Sequence, residues 1–379
     1  MSVENKVPVI RFEGFEDEWK TFKLGELGKV ATNKRIFMHQ TSSTGDVPFY
    51  KIGTFGKNPK LFIAQKIFET YKERFPYPLK GDLLFSVIGS IGRVVEYKGE
   101  NEYFQDSNIV WLQHNGAIVN AFLKQFYSIV EWSGLEGSTI KHLYNRNILD
   151  TKIKLPSQKE QTKIGNYFQQ LDILITQHQK KHDKLLTIKK ALLEKMFPKQ
   201  GQAEPEIRFK GFSGEWEEKK VINIAPLQRG FDLPKNKMKK GHYPVVMSNG
   251  INGFHYEYKV QGPGVVTGRS GTIGNIHYIV SNYWPHNTAL WVTNFNGNEP
   301  LYIYYMYLKL DLNRFSTGSG VPTLNRNDVH DKVVRIPKVK EQTQIGMLFN
   351  KLDTLITRHQ AQLKKLNNIK QACLAKMFV

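Results

Sequence analysis

One segment of this 379-residue chain occurs twice, and that repeat limits the possible folds more than any other feature. Residues 154–197 match residues 335–378 at a constant offset of 181, sharing Pro156/Pro337, Glu160/Glu341, Gln161/Gln342, Gly165/Gly346, Asp172/Asp353, His178/His359 and a terminal Lys-Met-Phe. Within each copy an apolar seam recurs at alternating steps of four and three. The first reads Ile164, Phe168, Leu171, Ile175, His178, His182, Leu185, Lys189, Leu192, Met196. The second reads Ile345, Phe349, Leu352, Ile356, His359, Leu363, Leu366, Lys370, Cys373, Met377. A seam of this period held over roughly four heptads predicts a long helix packed on another helix. A helix of about 32 residues spans about 48 Å. Two copies in one chain predict an intramolecular pair acting as a rigid spacer.

A second repeat precedes the first. Residues 9–19 (VIRFEGFEDEW) return as residues 206–216 (EIRFKGFSGEW), with Arg11/Arg208, Phe12/Phe209, Phe15/Phe212 and Trp19/Trp216 in register. The repeat unit is therefore an opening motif, a globular stretch and a long helix. The polar stretch 198–205 (PKQGQAEP) carries the Pro and Gly of an exposed linker and marks the expected domain boundary. The expected organisation is a first globular domain at 1–153, a helix at 154–197, the linker at 198–205, a second domain at 206–334 and a helix at 335–379.

Inside each globular stretch, short apolar runs are punctuated by Gly, Pro and Asn. Residues 81–97 and 262–280 read as strand, Gly-rich turn, strand, with Gly89-Ser90-Ile91-Gly92 answering Gly271-Thr272-Ile273-Gly274. Trp111 and Trp291 align in a following strand, helical patches come next, and Asn145-Arg146-Asn147 answers Asn325-Arg326-Asn327. The fold class is α+β: two globular domains joined and separated by two long helices. Residues 32–80 and 228–261 show no mutual resemblance, so the scaffold is duplicated while its decoration is not.

Lys and Arg number 54 against 34 acidic residues, a net charge of +20, which favours a polyanionic partner such as nucleic acid over charge kept for solubility alone. A single cysteine, Cys373, allows no intramolecular disulfide and points to a reducing compartment. The first 19 residues lack an apolar core of signal-peptide length and no apolar run reaches membrane-spanning length, so the expectation is a cytoplasmic chain with no membrane partner.

Motifs for catalysis are missing. Residues 53–58 (GTFGKN) have neither the spacing nor the hydroxyl of a phosphate-binding loop. No His-Glu-x-x-His, Cys cluster or Gly-x-Ser-x-Gly elbow occurs, nor the Asn/Asp-Pro-Pro-aromatic tetrad that holds an amine for methylation. His178 and His182 lie one helical turn apart, but Leu363 replaces the second in the other copy, so a polar layer fixing helix register is favoured over a metal site. No catalytic and no metal-binding residue is assigned.

The candidates for nucleic-acid contact are Lys34, Arg35, Lys57, Lys60, Ser90, Arg93, Asn145 and Arg146 in the first half. In the second they are Arg229, Lys235, Lys237, Lys239, Lys240, Asn249, Arg269, Ser270, Thr272, Asn325 and Arg326. Arg suits guanine and Asn suits adenine in the major groove, while Lys suits phosphate. The Gly-rich turns are equally readable as phosphate cradles or as plain tight hairpins. The paired arginines Arg146 and Arg326 could meet DNA or cap the strand that follows.

The order RF-x-GF-x-x-EW, GD-L-x(5)-GSIG, NRN, EQ-x-x-IG-x-x-F-x-x-LD-x-LIT-x-HQ and K-MF, present twice over essentially the whole chain, resembles the specificity subunit of Type I restriction–modification systems. The resemblance implies two target recognition domains reading a bipartite, asymmetric duplex site, held apart by an antiparallel coiled coil. It also implies docking of two methyltransferase subunits that mark adenine N6, and of restriction subunits. S-adenosylmethionine, ATP and Mg²⁺ would belong to those partners, with no cofactor on this chain. The spacer of about 48 Å corresponds to roughly 14 base pairs. The rival readings are a specificity subunit serving a methyltransferase alone, and a basic coiled-coil structural protein without sequence preference. A third, that the chain itself modifies DNA, is opposed by the missing tetrad.

Overall fold

The computed structural model describes residues 7–132, 134–135, 141–317 and 322–379. Two compact units emerge, the first assembled from two segments, Met1–Gln177 with Leu363–Val379, and the second from the continuous stretch His178–Gln362. The 198–205 stretch, expected as the boundary, falls wholly inside the second unit. Packing gives the reason. Phe197, at the end of the first repeat, lies against Trp216, Tyr302 and Phe349 of the second unit. Its counterpart Phe378 lies against Trp19, Phe122 and Phe168 of the first. Each globular body thus holds the start of its own long helix and the end of the other.

The long helices cover Gln158–Lys195 and Val339–Met377, 38 and 39 residues. Each begins four residues later than expected, because Lys152–Leu155 and Val333–Ile336 are strands paired with Lys20–Lys23 and Glu217–Lys220. The shared Glu-Gln pair fixes each helix start. Gln161 accepts the Val119 amide and donates to the Pro156 carbonyl, and Gln342 does the same with Glu299 and Pro337. In the first unit Tyr167 meets Cys373 and Lys370 donates to Asp172, so the two helices run in opposite directions there. In the second unit His178 meets His359 and Lys189 donates to Asp353, with the same sense.

Of the seam residues, Ile164, Phe168, Leu171, Ile345, Phe349, Leu352 and Ile356 are buried. Ile175, His178, Leu185, Leu192, His359 and Leu366 are half-buried. The burial follows from a helix that is covered on one side only along part of its length.

Each unit is built on a four-stranded antiparallel sheet of one topology. The first runs Lys29–Ala31, Ile109–Gln113, Leu83–Ser86, Val94–Glu96; the second runs Leu227–Arg229, Ala289–Val292, Gly264–Gly268, Ile276–Ile279. Its inner face packs on the Asn120–Ile129 or Pro300–Leu310 helix, whose apolar side chains also cover the start of the long helix. The duplication goes further than sequence similarity indicates. In the unmatched regions Val47–Tyr50 pairs in parallel with Tyr103–Phe104 and antiparallel with Leu61–Ile63. Tyr243–Met247 does the same with Trp284–Pro285 and Gly250–His255. The decoration shares a strand plan after all. The first unit adds the helix Gln65–Arg74, which accounts for much of its greater length.

Candidate nucleic-acid interface

Antiparallel pairing decides which residues gather. In the first unit, the carboxyl ends of Lys29–Ala31 and Leu83–Ser86 lie at the same edge as the amino ends of Ile109–Gln113 and Val94–Glu96. Residues leaving or approaching these strands therefore meet at one end of the sheet. The chain at 142–146 joins them, since Ile88 bridges His142 and the Leu143 amide donates to the Val87 carbonyl. Ser90, Arg93, Asn145 and Arg146 thus come together, and Thr32, Ser107, Tyr144, Asn145 and Arg146 rim a groove of about 620 Å³ floored by Val30, Val87, Val110 and Leu143. Arg93 is anchored on the Phe55 carbonyl at 3.2 Å and on Ser90 Oγ at 3.3 Å, which draws the loop bearing Lys57 and Lys60 to the same edge.

The second unit repeats this construction. Arg229 ends one strand, Arg269 follows another, and the Arg269 and Ser270 amides both donate to the Thr288 carbonyl. Ser270 bridges Thr323, the Gly271 amide reaches the Pro322 carbonyl, and Leu324 N donates to Arg269 O. Asn249 sits at a hairpin tip fastened to the same edge by the Ser248 amide on Thr288 Oγ1. Arg229, Asn249, Arg269, Ser270, Thr272, Asn325 and Arg326 accordingly share one end of the sheet. Lys235, Lys237, Lys239 and Lys240 do not. They flank the accessory hairpin, where the Lys239 amide meets His255 and its ammonium lies over the Tyr256 ring. All four are exposed.

Two expectations change. The triplets at 145–147 and 325–327 are one residue out of structural register. Leu143 and Leu324 occupy equivalent places, the short helices begin at Asn145 and Arg326, and Ile148 answers Val329 in the core. Arg146 is therefore the counterpart of Asn327, not of Arg326. Both triplets open a short helix instead of capping a strand, and Asn325 is the helix cap, its side chain accepting the Asn327 amide.

The Gly-rich turns are tight hairpins first. Gly89, Gly92, Gly271 and Gly274 all hold positive φ, between 69° and 84°, a region that disfavours other residues. The amides of Gly92, Arg93, Ser270 and Gly271 are already bonded within the chain, so they are not free to cradle a phosphate.

Sequence reasoning missed Asp106, Ser107, Asp232, Asn287 and Thr288. Asp106, Ser107, Asn287 and Thr288 lie just before the strands that contain Trp111 and Trp291, and Asp232 follows Leu227–Arg229, a strand that no apolar run marks. No local signal marks them as site residues, because it is the antiparallel order of the strands that puts them at the reading edge. Among the described residues no group of three or more His, Cys, Asp or Glu side chains could hold a metal ion, and no helix is long and apolar enough to cross a membrane.

Comparison with known proteins agrees with this construction. A Haemophilus influenzae protein named as a type I restriction enzyme specificity subunit is 48% identical over 156 residues, 41% of this chain and 40% of that protein. The specificity subunit of the type I restriction enzyme EcoprrI of Escherichia coli is 22% identical over 173 residues, 44% of this chain and 42% of that one. The matched stretch thus spans about two fifths of each relative's length. The crystal structure of the type I restriction–modification system S subunit from M. genitalium superposes with a TM-score of 0.71 at 17% identity, covering 98% of this chain and 99% of that one, which shows a common fold. The model of the type I restriction modification DNA specificity domain matches residues 16–187 and again residues 213–368. With that family pattern filled twice, once in each half of the sequence, the chain belongs to the type I restriction–modification DNA specificity family.

Proposed function

We propose that this chain reads a bipartite, asymmetric duplex site, one half through each unit, and serves as the platform on which modifying subunits assemble. The observation that carries the reading is the convergence of basic and amide side chains, drawn partly from repeated segments and partly from segments without sequence similarity, on the same end of the same sheet in both units. A duplicated scaffold with different side chains at its reading edge is what two different half-sites require. The excess of cations supplies the phosphate attraction common to all duplex binding.

The chemistry would come from partners: two adenine-N6 methyltransferase subunits holding S-adenosylmethionine, and restriction subunits using ATP and Mg²⁺. Exposed apolar side chains on the long helices, among them Ile173, Leu174 and Leu186 on the first and Met347 on the second, offer docking faces for the methyltransferase subunits. A system with methyltransferase subunits only would use the same faces.

The test is a single-molecule methylation map of DNA from cells with and without the gene. One gapped, asymmetric adenine motif that depends on the gene supports the reading, and a contiguous palindrome or no motif opposes it. Co-purification of restriction subunits separates the full system from the methyltransferase-only one. Binding that is uniform across sequences and erased by salt would favour the structural rival.

A further inference from the structure

Both reading edges contain an exposed arginine held at one corner by an aspartate that belongs to, or is fastened to, the turn before the central strand. In the first unit Arg35 Nε donates to Asp106 Oδ2 at 2.8 Å, and the arginine side chain remains 61% exposed. Asp106 is itself fixed. Ser107, beside it, is in the left-handed region at φ 60°, its amide donates to Thr32 Oγ1, and its hydroxyl reaches the same Asp106 oxygen. In the second unit Arg229 donates to Asp232 at 3.4 Å with 53% of its side chain exposed. Asp232 also accepts from the side-chain Nδ2 of Asn287, which occupies the place of Ser107 before the equivalent strand. An ion pair this exposed adds little stability. A left-handed non-glycine residue costs free energy and persists where surrounding contacts insist on it. The two pairs are reached from different positions, since strand register puts Arg229 in the place of Thr32, three residues before that of Arg35.

We infer that Arg35 and Arg229 each read a guanine, one in each half-site, with Asp106 and Asp232 holding the guanidinium in position. The inference rests on the bipartite reading proposed above. A guanidinium restrained at one corner still presents a fork of donors, which matches guanine O6 and N7 in the major groove, and restraint lowers the entropy lost when that contact forms. Lysine keeps the charge and loses the fork, which separates base reading from phosphate contact.

The experiment compares methylation maps from cells carrying the wild type, Arg35→Lys or Arg229→Lys. The expected wild-type motif has a G·C pair in each half-site. Arg35→Lys should lose discrimination at one G·C position of one half-site, by roughly 5- to 150-fold, and Arg229→Lys at one position of the other. Should a variant abolish methylation, the purified complex of this chain with its methyltransferase subunits is titrated with duplexes bearing 7-deazaguanine at single positions. Removing one N7 should weaken the wild-type complex and leave the Arg35→Lys complex indifferent to that position. A half-site without a G·C pair overturns the inference, as does unchanged discrimination in both lysine variants, the behaviour of a phosphate contact. Absence of any gapped motif in the wild type overturns the bipartite reading itself, and the inference with it.

Discussion

Arg11 grips Glu160 with two parallel hydrogen bonds, Nε at 2.7 Å and a terminal nitrogen at 2.8 Å, and the carboxylate is 1% exposed. Arg208 holds Glu341 in the same way, both bonds at 2.8 Å. The opening motif of each unit is thereby tied to the first turn of its long helix, where a carboxylate is also favoured by the helix dipole. Backbone contacts complete the tie: Ile10 N donates to Lys376 O, and Ile207 N donates to Lys195 O.

Arg11→Ala should cost about 3–5 kcal/mol, because it leaves Glu160 buried without a partner. Replacing both residues together, as Arg11→Met with Glu160→Leu, should cost far less. Urea unfolding of the two variants checks this, and equal losses would show that the pair is not the reason for the cost.

Gly165 lies where the long helix crosses the Asn120–Ile129 helix. A Cβ there would stand 2.7 Å from Ala121 Cβ and 2.9 Å from the Phe122 backbone nitrogen. At Gly346 the nearest atom, the Tyr302 backbone nitrogen, would be 3.1 Å away. Overpacking costs typically about 1–3 kcal/mol, while alanine regains up to about 1 kcal/mol of helix propensity. Gly165→Ala should therefore lower Tm clearly and Gly346→Ala much less. Thermal unfolding that ranks them the other way would contradict the packing described.

His330 is 8% exposed and its Nε2 accepts the Leu227 amide at 2.8 Å, so it must be neutral there. Burial, with Arg326 adding to it, pushes its pKa below the ordinary histidine value. The unfolded chain then binds the proton more tightly than the folded one. Stability is full above about pH 6.5 and is lost as pH falls through the lower folded value. His330→Gln, which can still accept the amide, should flatten the dependence of Tm on pH between 7.5 and 5.5. Because burial also lowers His277 and His359, some slope should remain. An unchanged slope would remove His330 from the account.

His178 Nδ1 and His359 Nδ1 are 2.9 Å apart, so one ring donates and the other accepts. Protonating both removes the acceptor. Burial lowers the His359 pKa, and His178, Lys181, His182 and Arg358 add repulsion. The double change His178→Leu with His359→Leu should raise Tm by a few °C, about 1 kcal/mol being worth roughly 2–4 °C at this size, at the expense of a layer that fixes helix register. A lower Tm at pH 7.5 would mean that the hydrogen bond outweighs apolar packing.

Sequence alone determined the periodic parts. The repeat, the two long helices, the Gly-rich hairpins and the mixed α and β content follow from local pattern, because side-chain spacing along a helix or strand is set by backbone geometry. What tertiary structure decided is everything that depends on which segments meet. The motifs Arg-Phe, Glu-Gln and Lys-Met-Phe are visible as repeats, but only packing shows that Arg11 seeks Glu160 and that Phe378 closes on Trp19. Only the hydrogen-bond register shows that Arg146 is the counterpart of Asn327, and only the antiparallel order of four strands brings Asp106 to Arg35. Such contacts join residues tens to hundreds of positions apart, and no local preference encodes a partner at that distance. Chain pattern fixes the elements; burial and hydrogen-bond satisfaction select how they meet.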